Sequence, residues 1–458
     1  MTTTTYDPTT TATSLAKSYT AAAQALITSQ TSAATAKSGA LSKLQSALSA
    51  FETTLSSLSG SPTSGSLAQM SATVSSSSVA SASAVTGAAA GTYSLFVEQV
   101  ATSQQVSFQD LPAAEAGATG KLTLSMANGD SFEVDLGTAD SDGNGTLSYT
   151  EIARAINSAP DNNKQVTAMV TTVNGKSTMV LSSGVSGLDG KITVSADANV
   201  DGPLQTALNT PPKELVAAQN AIVWLGAQNT GLKIEQGSNT VTAIQGVTLN
   251  LTQAQASGSA PVTLTVGQDS GATKKNVQSF VDAYNSLRST LDGLLQNGSE
   301  TSSGGALASD SSLKSLRDRL ASVLRQDVGG VNLRDLGVAI DRSGQLSLDG
   351  AKLSAKLAQD PTALDTVFGK ASASKNTGLL GSLNTLSDLW TDSNGLIQKR
   401  QDSLSTQQKA LTDNQTKLDS RYDQLYDRYL KQFSALQTMQ EQMSQTTSLL
   451  DSLFSSSK

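Results

Sequence analysis

The stretch Leu418-Asp419-Ser420-Arg421-Tyr422-Asp423-Gln424-Leu425-Tyr426-Asp427-Arg428-Tyr429-Leu430-Lys431-Gln432-Phe433-Ser434-Ala435-Leu436 decides the fold. Leu418, Tyr422, Leu425, Tyr429 and Leu436 recur at steps of three, four and seven, which places them along one side of a helix. The stripe extends back to Leu404 and Leu411 and forward to Met443 and Leu450. Near the other end, Leu41, Leu44, Leu48, Phe51, Leu55 and Leu58 repeat the pattern and stop at Gly60-Ser61-Pro62, a helix terminator. Such a stripe has to be covered by another helix. The two ends are therefore expected to meet each other or neighbouring copies.

Between them the period changes from helical to alternating. Tyr93, Leu95 and Val97 alternate with Ser94, Phe96 and Glu98. Asn128-Gly129 and Asn174-Gly175 each join two alternating runs and suit two-residue type I′ hairpin turns. Further strands are expected at 191–196, 221–225, 241–244, 247–251 and 262–266, and a short helix at 149–157. Residues 1–13 read as unstructured, 63–90 as linker or extended chain, and 197–218, with Pro203, Pro211 and Pro212, as loop. From about Lys274 helices return. The stripe Leu15, Tyr19, Ala22 and Leu26 suggests a weaker helix before Leu41. The fold class is α+β multidomain: a helical coiled-coil or bundle stalk of paired terminal segments, with nested β-rich head domains inserted. The expected division is 1–38 with 425–458, 39–72 with 272–424, 73–112 with 232–271, and 113–231.

Composition narrows the chemistry. The 458 residues include no Cys and no His, which removes disulfides, thiolate nucleophiles, imidazole ligands and triads built on His. A net charge of −7 provides no basic footprint for nucleic acid. No run approaches the apolar length of a membrane span, and the first thirty residues do not read as a cleaved secretory signal. No catalytic residue is assigned. Trp224 reads as core, Tyr422, Tyr426 and Tyr429 as packing, and Lys274-Lys275 and Lys399-Arg400 as solvated helix faces.

One local motif stands out. Asp140-Ser141-Asp142-Gly143-Asn144-Gly145-Thr146-Leu147-Ser148-Tyr149-Thr150-Glu151 fits the spacing of a calcium loop. Asp140, Asp142 and Asn144 offer side-chain oxygens, Thr146 a carbonyl, Ser148 a contact through water, and Glu151 two oxygens. Gly145 permits the sharp turn and Leu147 anchors the loop. The competing reading is an ordinary turn, since Ser141–Gly145 is rich in turn-forming residues and strand rather than helix precedes the loop. Asp341-Arg342-Ser343-Gly344-Gln345 has too few oxygens and reads as a hairpin turn.

Several segments, in order, resemble one family. Gly91-Thr92-Tyr93-Ser94-Leu95-Phe96-Val97-Glu98-Gln99-Val100-Ala101 is similar to a strand of the flagellar hook-associated protein 2, or filament-cap, family. So are Ser238–Thr242 with Gly246–Leu249, Val262–Val266 with Asp269, and Phe280-Val281-Asp282-Ala283-Tyr284-Asn285-Ser286-Leu287. Leu336-Gly337-Val338, Gly344–Asp349, Asp360-Pro361 with Val367-Phe368, and Tyr429–Leu436 continue the match. The opening departs: Met1–Pro8 replaces the family's Ser-Gly-Leu-Asp-like start, which bears on export recognition and on contacts at the filament tip.

The resemblance implies a secreted, extracellular cap at the distal tip of the flagellar filament, acting on exported flagellin without catalysis. It implies a ring of copies, most often five, with terminal helices as legs and strand domains as a plate. The implied partners are flagellin, the hook–filament junction proteins and a cytoplasmic export chaperone. Leu41, Leu44, Leu48, Phe51, Leu418, Tyr422, Leu425, Tyr429, Leu436, Met443 and Leu450 are the expected contact residues. No cofactor is required, and calcium is the candidate structural ion. The rival reading is a surface adhesin that grips host glycan or protein through the β-rich head.

Overall fold

The computed structural model describes residues 7–59, 67–115, 120–298, 304–369 and 377–455. Its helices, in chain order, are α1 (Pro8–Ser59), α2 (Tyr149–Ser158), α3 (Gly202–Asn209), α4 (Ser270–Leu295), α5 (Ser311–Val323), α6 (Gly350–Gln359), α7 (Ala363–Phe368), α8 (Gly378–Thr391) and α9 (Leu396–Ser455). The chain divides into two compact units, one of both ends (1–62 with 273–458) and one of the middle (63–272). The helical ends and β-rich middle are as expected. The Gly60-Ser61-Pro62 stop lies outside the described residues.

In the first unit, the Asp7 carboxylate accepts the N–H groups of Thr9 and Thr10 and so caps α1, with Pro8 opening the helix. Residues 8–13 are therefore helical, against expectation. The early part of α1 buries Ala12, Ala16 and Thr20 and leaves Tyr19 and Leu26 exposed, so its packed stripe is one of small side chains. Small residues let a neighbouring helix come close. That neighbour is α9, which runs antiparallel to α1: Gln24 exchanges hydrogen bonds with Gln415 at 2.8 and 3.0 Å, and Gln45 pairs with Gln401 at 3.1 Å.

Leu44, Leu48 and Phe51 of α1, Val277, Phe280 and Tyr284 of α4, and Leu383 and Trp390 of α8 are all buried in this unit, where α1 packs against α8. Phe280 meets Phe368 edge-on, with centroids 5.2 Å apart. Asn285 holds the hairpin of Val338–Ile340 and Leu346–Leu348 by accepting from Leu346 N (2.7 Å) and donating to Leu346 O (2.8 Å). Arg400 is not a solvated residue. It forms a forked pair with Asp310 at 2.6 and 3.1 Å and lies 5.2 Å above the Trp390 ring. Asp310 also caps α5 by accepting from Leu313 N.

A patch of like charge sits where α8 ends. Burial raises the Glu52 carboxyl above the ordinary range, helped by Asp388 and Asp392 and opposed by the Thr391 hydroxyl that donates to it at 2.6 Å. Burial also raises Asp388. A carboxyl raised in the folded state weakens folding when ionised, so stability rises as pH falls through its folded pKa. Glu52→Gln keeps an acceptor for Thr391 and loses the charge. Its melting temperature at pH 7 is expected to rise by about 1–2 °C. Melting curves between pH 7 and 5 should also show a smaller gain on acidification than the unaltered chain.

The second unit is antiparallel throughout its described sheets. One five-stranded sheet runs in the order Gln69–Val74, Val262–Asp269, Gly91–Gln99, Ala221–Leu225, Leu232–Gln236. With the three-stranded sheet of Thr240–Val241, Val247–Leu251 and Ala80–Ala84 it shares a core of Leu95, Val97, Val223, Leu249 and Leu264. A second core, with Phe108, Leu122, Phe132, Ile152, Leu181 and Leu204, lies with two other sheets. These are Lys213–Val216, Ser103–Gln109, Lys176–Ser186, Val166–Val173 and, separately, Ile192–Ala196, Lys121–Met126, Ser131–Asp135. The Ser/Ala-rich linker thus supplies strands, and the Pro-rich stretch holds α3, with Pro203 in its first turn, and the strand Lys213–Val216.

Asn174 and Gly175 both adopt positive φ (52° and 80°), as a type I′ turn requires. Asn128 does not. There the pairing closes on Met126 and Asp130, so three residues span the turn and Gly129 alone is left-handed at φ 96°. Trp224 is half-buried rather than core: its neighbours Ala221 and Val223 face inward while its Nε1–H donates to Glu98.

Candidate assembly stripe and acidic loop

The terminal stripes divide by burial. Leu41, Leu44, Leu48 and Phe51 are almost wholly enclosed in the chain's own helical unit, so they pack inside it instead of facing a partner. On α9, Leu411 is buried and Leu418, Tyr422, Leu425 and Tyr429 are half-buried beside α1. Tyr19 stacks on Tyr429 at 6.0 Å, Tyr422 on Tyr426 at 6.4 Å, and Arg428 lies 4.9 Å above Tyr429. From that point α1 reaches back only to Pro8, whereas α9 runs on to Ser455. Along this extension Leu436, Met439, Met443, Leu450 and Leu453 are 43–65% exposed and keep the heptad spacing. Met439 and Leu453 were not singled out from sequence, although the same spacing marks them.

The acidic loop leads into α2. Ser148 is the N-cap, and its side chain and that of Glu151 form a reciprocal capping box. Glu151 Oε1 accepts from Ser141 N (2.7 Å) and Ser141 Oγ (3.1 Å), and Oε2 from Ser148 N (2.9 Å) and Ser148 Oγ (2.9 Å). Donors aimed at the ionised form, the Ser148 N–H foremost, lower its carboxyl to about pKa 2 although the side chain is buried. Asp140 accepts from Gly143 N and Gly145 N, and both glycines are left-handed (φ 69° and 82°).

One carboxylate oxygen from each of Asp140, Asp142 and Glu151 lies within 4.8 Å of the others, a group able to hold a metal ion. Asn144 Oδ1 accepts from Thr146 N and Oγ1, and the Ser148 hydroxyl is engaged with Glu151. Thr146 lies in a two-residue strand that pairs with Ala114–Glu115, and Leu147 is buried as the loop's anchor.

Comparison with known proteins settles the kinship. The family profile for the flagellar hook-associated protein 2 C-terminus matches residues 218–445, and that for its N-terminus matches residues 4–104. The lateral flagellar hook-associated protein 2 of Vibrio parahaemolyticus is 38% identical over 368 residues, covering 79% of this chain and 81% of that protein. The chain belongs to the flagellar hook-associated protein 2 family. The Escherichia coli K12 member is 30% identical over 391 residues, covering 80% of each. The crystal structure of the D1-D2-D3 domains of the flagellar cap protein FliD from Escherichia coli superposes with a TM-score of 0.67 at 28% identity, over 80% of this chain and 99% of that one.

Family membership sorts the sites. The α9 segment up to residue 445 falls in a matched stretch, as does Asn285 with its clamp on Leu346. The acidic loop, residues 140–151, falls between the two matched stretches. No helix among the described residues is long and apolar enough to cross a membrane. Sequence reasoning also missed Arg400, whose position beside Lys399 resembled an ordinary solvated pair. Its partner Asp310 lies far away in the chain, and no local signal links them.

Proposed function

We propose that this chain is the structural cap at the distal tip of a bacterial flagellar filament, secreted to that site, where it promotes folding and insertion of exported flagellin and prevents its loss. The observation that carries this reading is family membership together with the superposition on the Escherichia coli cap protein. The chain acts by shape and contact, as a structural protein rather than an enzyme. Gold-labelled antibody against the chain should mark the far ends of filaments in electron micrographs. Label spread along the shaft or confined to the cell body contradicts the proposal.

Copies of the chain associate with each other and with flagellin; a five-membered ring, the hook–filament junction proteins and an export chaperone are the finer partners proposed. The exposed run Leu436, Met439, Met443, Leu450 and Leu453 is the proposed assembly contact, because an exposed apolar heptad stripe, here from Leu436 to Leu450, is adhesive. The two separate cores of the β-rich unit support two head domains, proposed as 73–112 with 232–271 and 113–231, but with shifted bounds: Phe108 packs in the core of the 113–231 part and Val223 in the other core. Of the helical ends, 1–38 with 425–458 is the proposed leg and 39–72 with 272–424 the proposed bundle, although 63–72 falls in the β-rich unit, where Gln69–Val74 is a strand.

The group Asp140, Asp142 and Glu151 can hold a metal ion, and calcium is proposed as that ion. Hard carboxylate oxygens and left-handed glycines suit it, and the low pKa of Glu151 keeps that ligand anionic. A lone loop with few converging donors should bind at about millimolar strength. At 10 mM calcium, ten times such a Kd, linkage contributes about 1.4 kcal/mol of stability. Calorimetry of the full chain should show an upward shift that magnesium does not match and that Asp140→Asn with Asp142→Asn removes. No shift at 10 mM calcium contradicts the assignment.

A further inference from the structure

This chain seals the ends of its strands with asparagine side chains. A side-chain amide carries donors and an acceptor side by side, so it can satisfy both backbone groups of a single edge residue. Asn239 does this for Ala101, Asn209 for Ala196 and Asn285 for Leu346. The edge strand Val166–Val173 receives two such seals. Asn162 Oδ1 accepts from Val166 N at 2.9 Å and its Nδ2 donates to Val166 O at 2.8 Å. Asn157 treats Ala168 likewise, at 2.9 and 2.7 Å.

The seal then stops. Backbone groups on one side of a strand recur at every second residue, so Val170 and Thr172 present the next outward N–H and C=O groups. No described residue bonds them. The sequence Val166-Thr167-Ala168-Met169-Val170-Thr171-Thr172-Val173 has no charge and no proline, the features that usually blunt an edge. Met169 and Val173, on the face away from the core, are 52% and 46% exposed.

We propose that the open edge Met169–Val173 pairs with the same edge of a second copy of this chain, antiparallel about a two-fold axis through Thr171. The open groups are self-complementary in that register. Val170 exchanges two hydrogen bonds with Thr172 of the second copy, and Thr172 exchanges two with its Val170. Met169 then lies directly opposite Val173 of the second copy, so each exposed apolar side chain covers the other. Pairing ends where the Asn157 seal begins. The paired strands bring no charged side chain together, so the contact adds no local repulsion to that between two chains of net charge −7. The contact is isologous, so it joins copies in pairs and is separate from any ring contact. It makes one continuous eight-stranded sheet out of two four-stranded ones.

The absence of cysteine makes the test direct. In this register the two Thr171 residues face each other as a non-hydrogen-bonded pair, at a spacing that a disulfide accepts. Mild oxidation of the full-length Thr171→Cys chain should yield covalent dimer about tenfold faster than Thr167→Cys, which lies on the same face in the sealed part. Association through the helical ends raises the local concentration of both thiols alike, so the ratio isolates the edge. Adding Met169→Lys with Val173→Glu to the Thr171→Cys chain should preserve cross-linking, because opposite charges then face each other. Met169→Lys with Val173→Lys should abolish it, with circular dichroism unchanged. Equal rates at 171 and 167, or cross-linking indifferent to the Lys/Lys change, overturns the proposal.

Discussion

Cells carrying Leu436→Asp together with Met443→Asp are expected to lose swimming and to release flagellin into the medium, while the purified variant stays folded. Both side chains are exposed in the single chain, at 43% and 65%, and exposed substitutions typically move stability by no more than about 0.5 kcal/mol. In a covered stripe the balance reverses. Each carboxylate loses its water without gaining a partner, at a cost of several kcal/mol per ion. Two per chain, repeated in every copy of the assembly, exceed what an ordinary apolar stripe contributes. The readings are flagellin in culture supernatant and the melting temperature of the purified variant. Normal filaments with an unchanged melting temperature remove the stripe from the assembly surface.

Phe51→Ala is expected to act in the opposite sense, on folding first. Phe51 is among the largest fully buried side chains, in a row with Leu44, Leu48 and Leu55. Removing a buried aromatic ring costs about 3–5 kcal/mol, through lost apolar burial and the cavity left behind. Against a whole stability of about 5–15 kcal/mol, that is enough to unfold the helical unit well before the β-rich one. Circular dichroism at the helical wavelength should therefore fall in a separate, earlier step, with the β signal melting near its original temperature. A single unshifted transition contradicts the packing described. The pair of predictions divides one sequence pattern by burial: the same heptad spacing is core at Phe51 and surface at Met443.

That division was the part the sequence could not reveal. Heptad spacing states that a stripe must be covered but not by which helix, so Leu41, Leu44, Leu48 and Phe51 read as equivalent to Leu436 and Met443. The early stripe of α1 misled for a related reason. Tyr19 and Leu26 outweigh Ala12, Ala16 and Thr20 in hydrophobicity, yet close approach of α9 selects the small residues. Strands and helices with strong periodicity, such as Val262–Asp269 and Ser270–Leu295, were legible because one repeat determines one buried face. The turn at Gly129 was legible as a turn but not in type, since the same Asn-Gly pair also serves a three-residue loop. The loop at Asp140–Glu151 was legible as a motif, and Gly145 and Leu147 behave as its spacing required. The destination of the Asn144 and Ser148 oxygens was not, because competing donors within the loop decide it. The asparagine seals carry no sequence mark at all. Asn157 and Ala168, or Asn239 and Ala101, are brought together only by the fold.

The proposal that this chain caps the filament is tested most directly by deleting it from its own bacterium and following flagellin. The deletion strain should make flagellin at the normal level, carry hooks without filaments and hold almost all of its flagellin in the medium. Adding the purified chain from outside, or restoring it on a plasmid, should return filaments. Filaments of normal length in the deletion strain, with little flagellin in the medium, would contradict the proposed role.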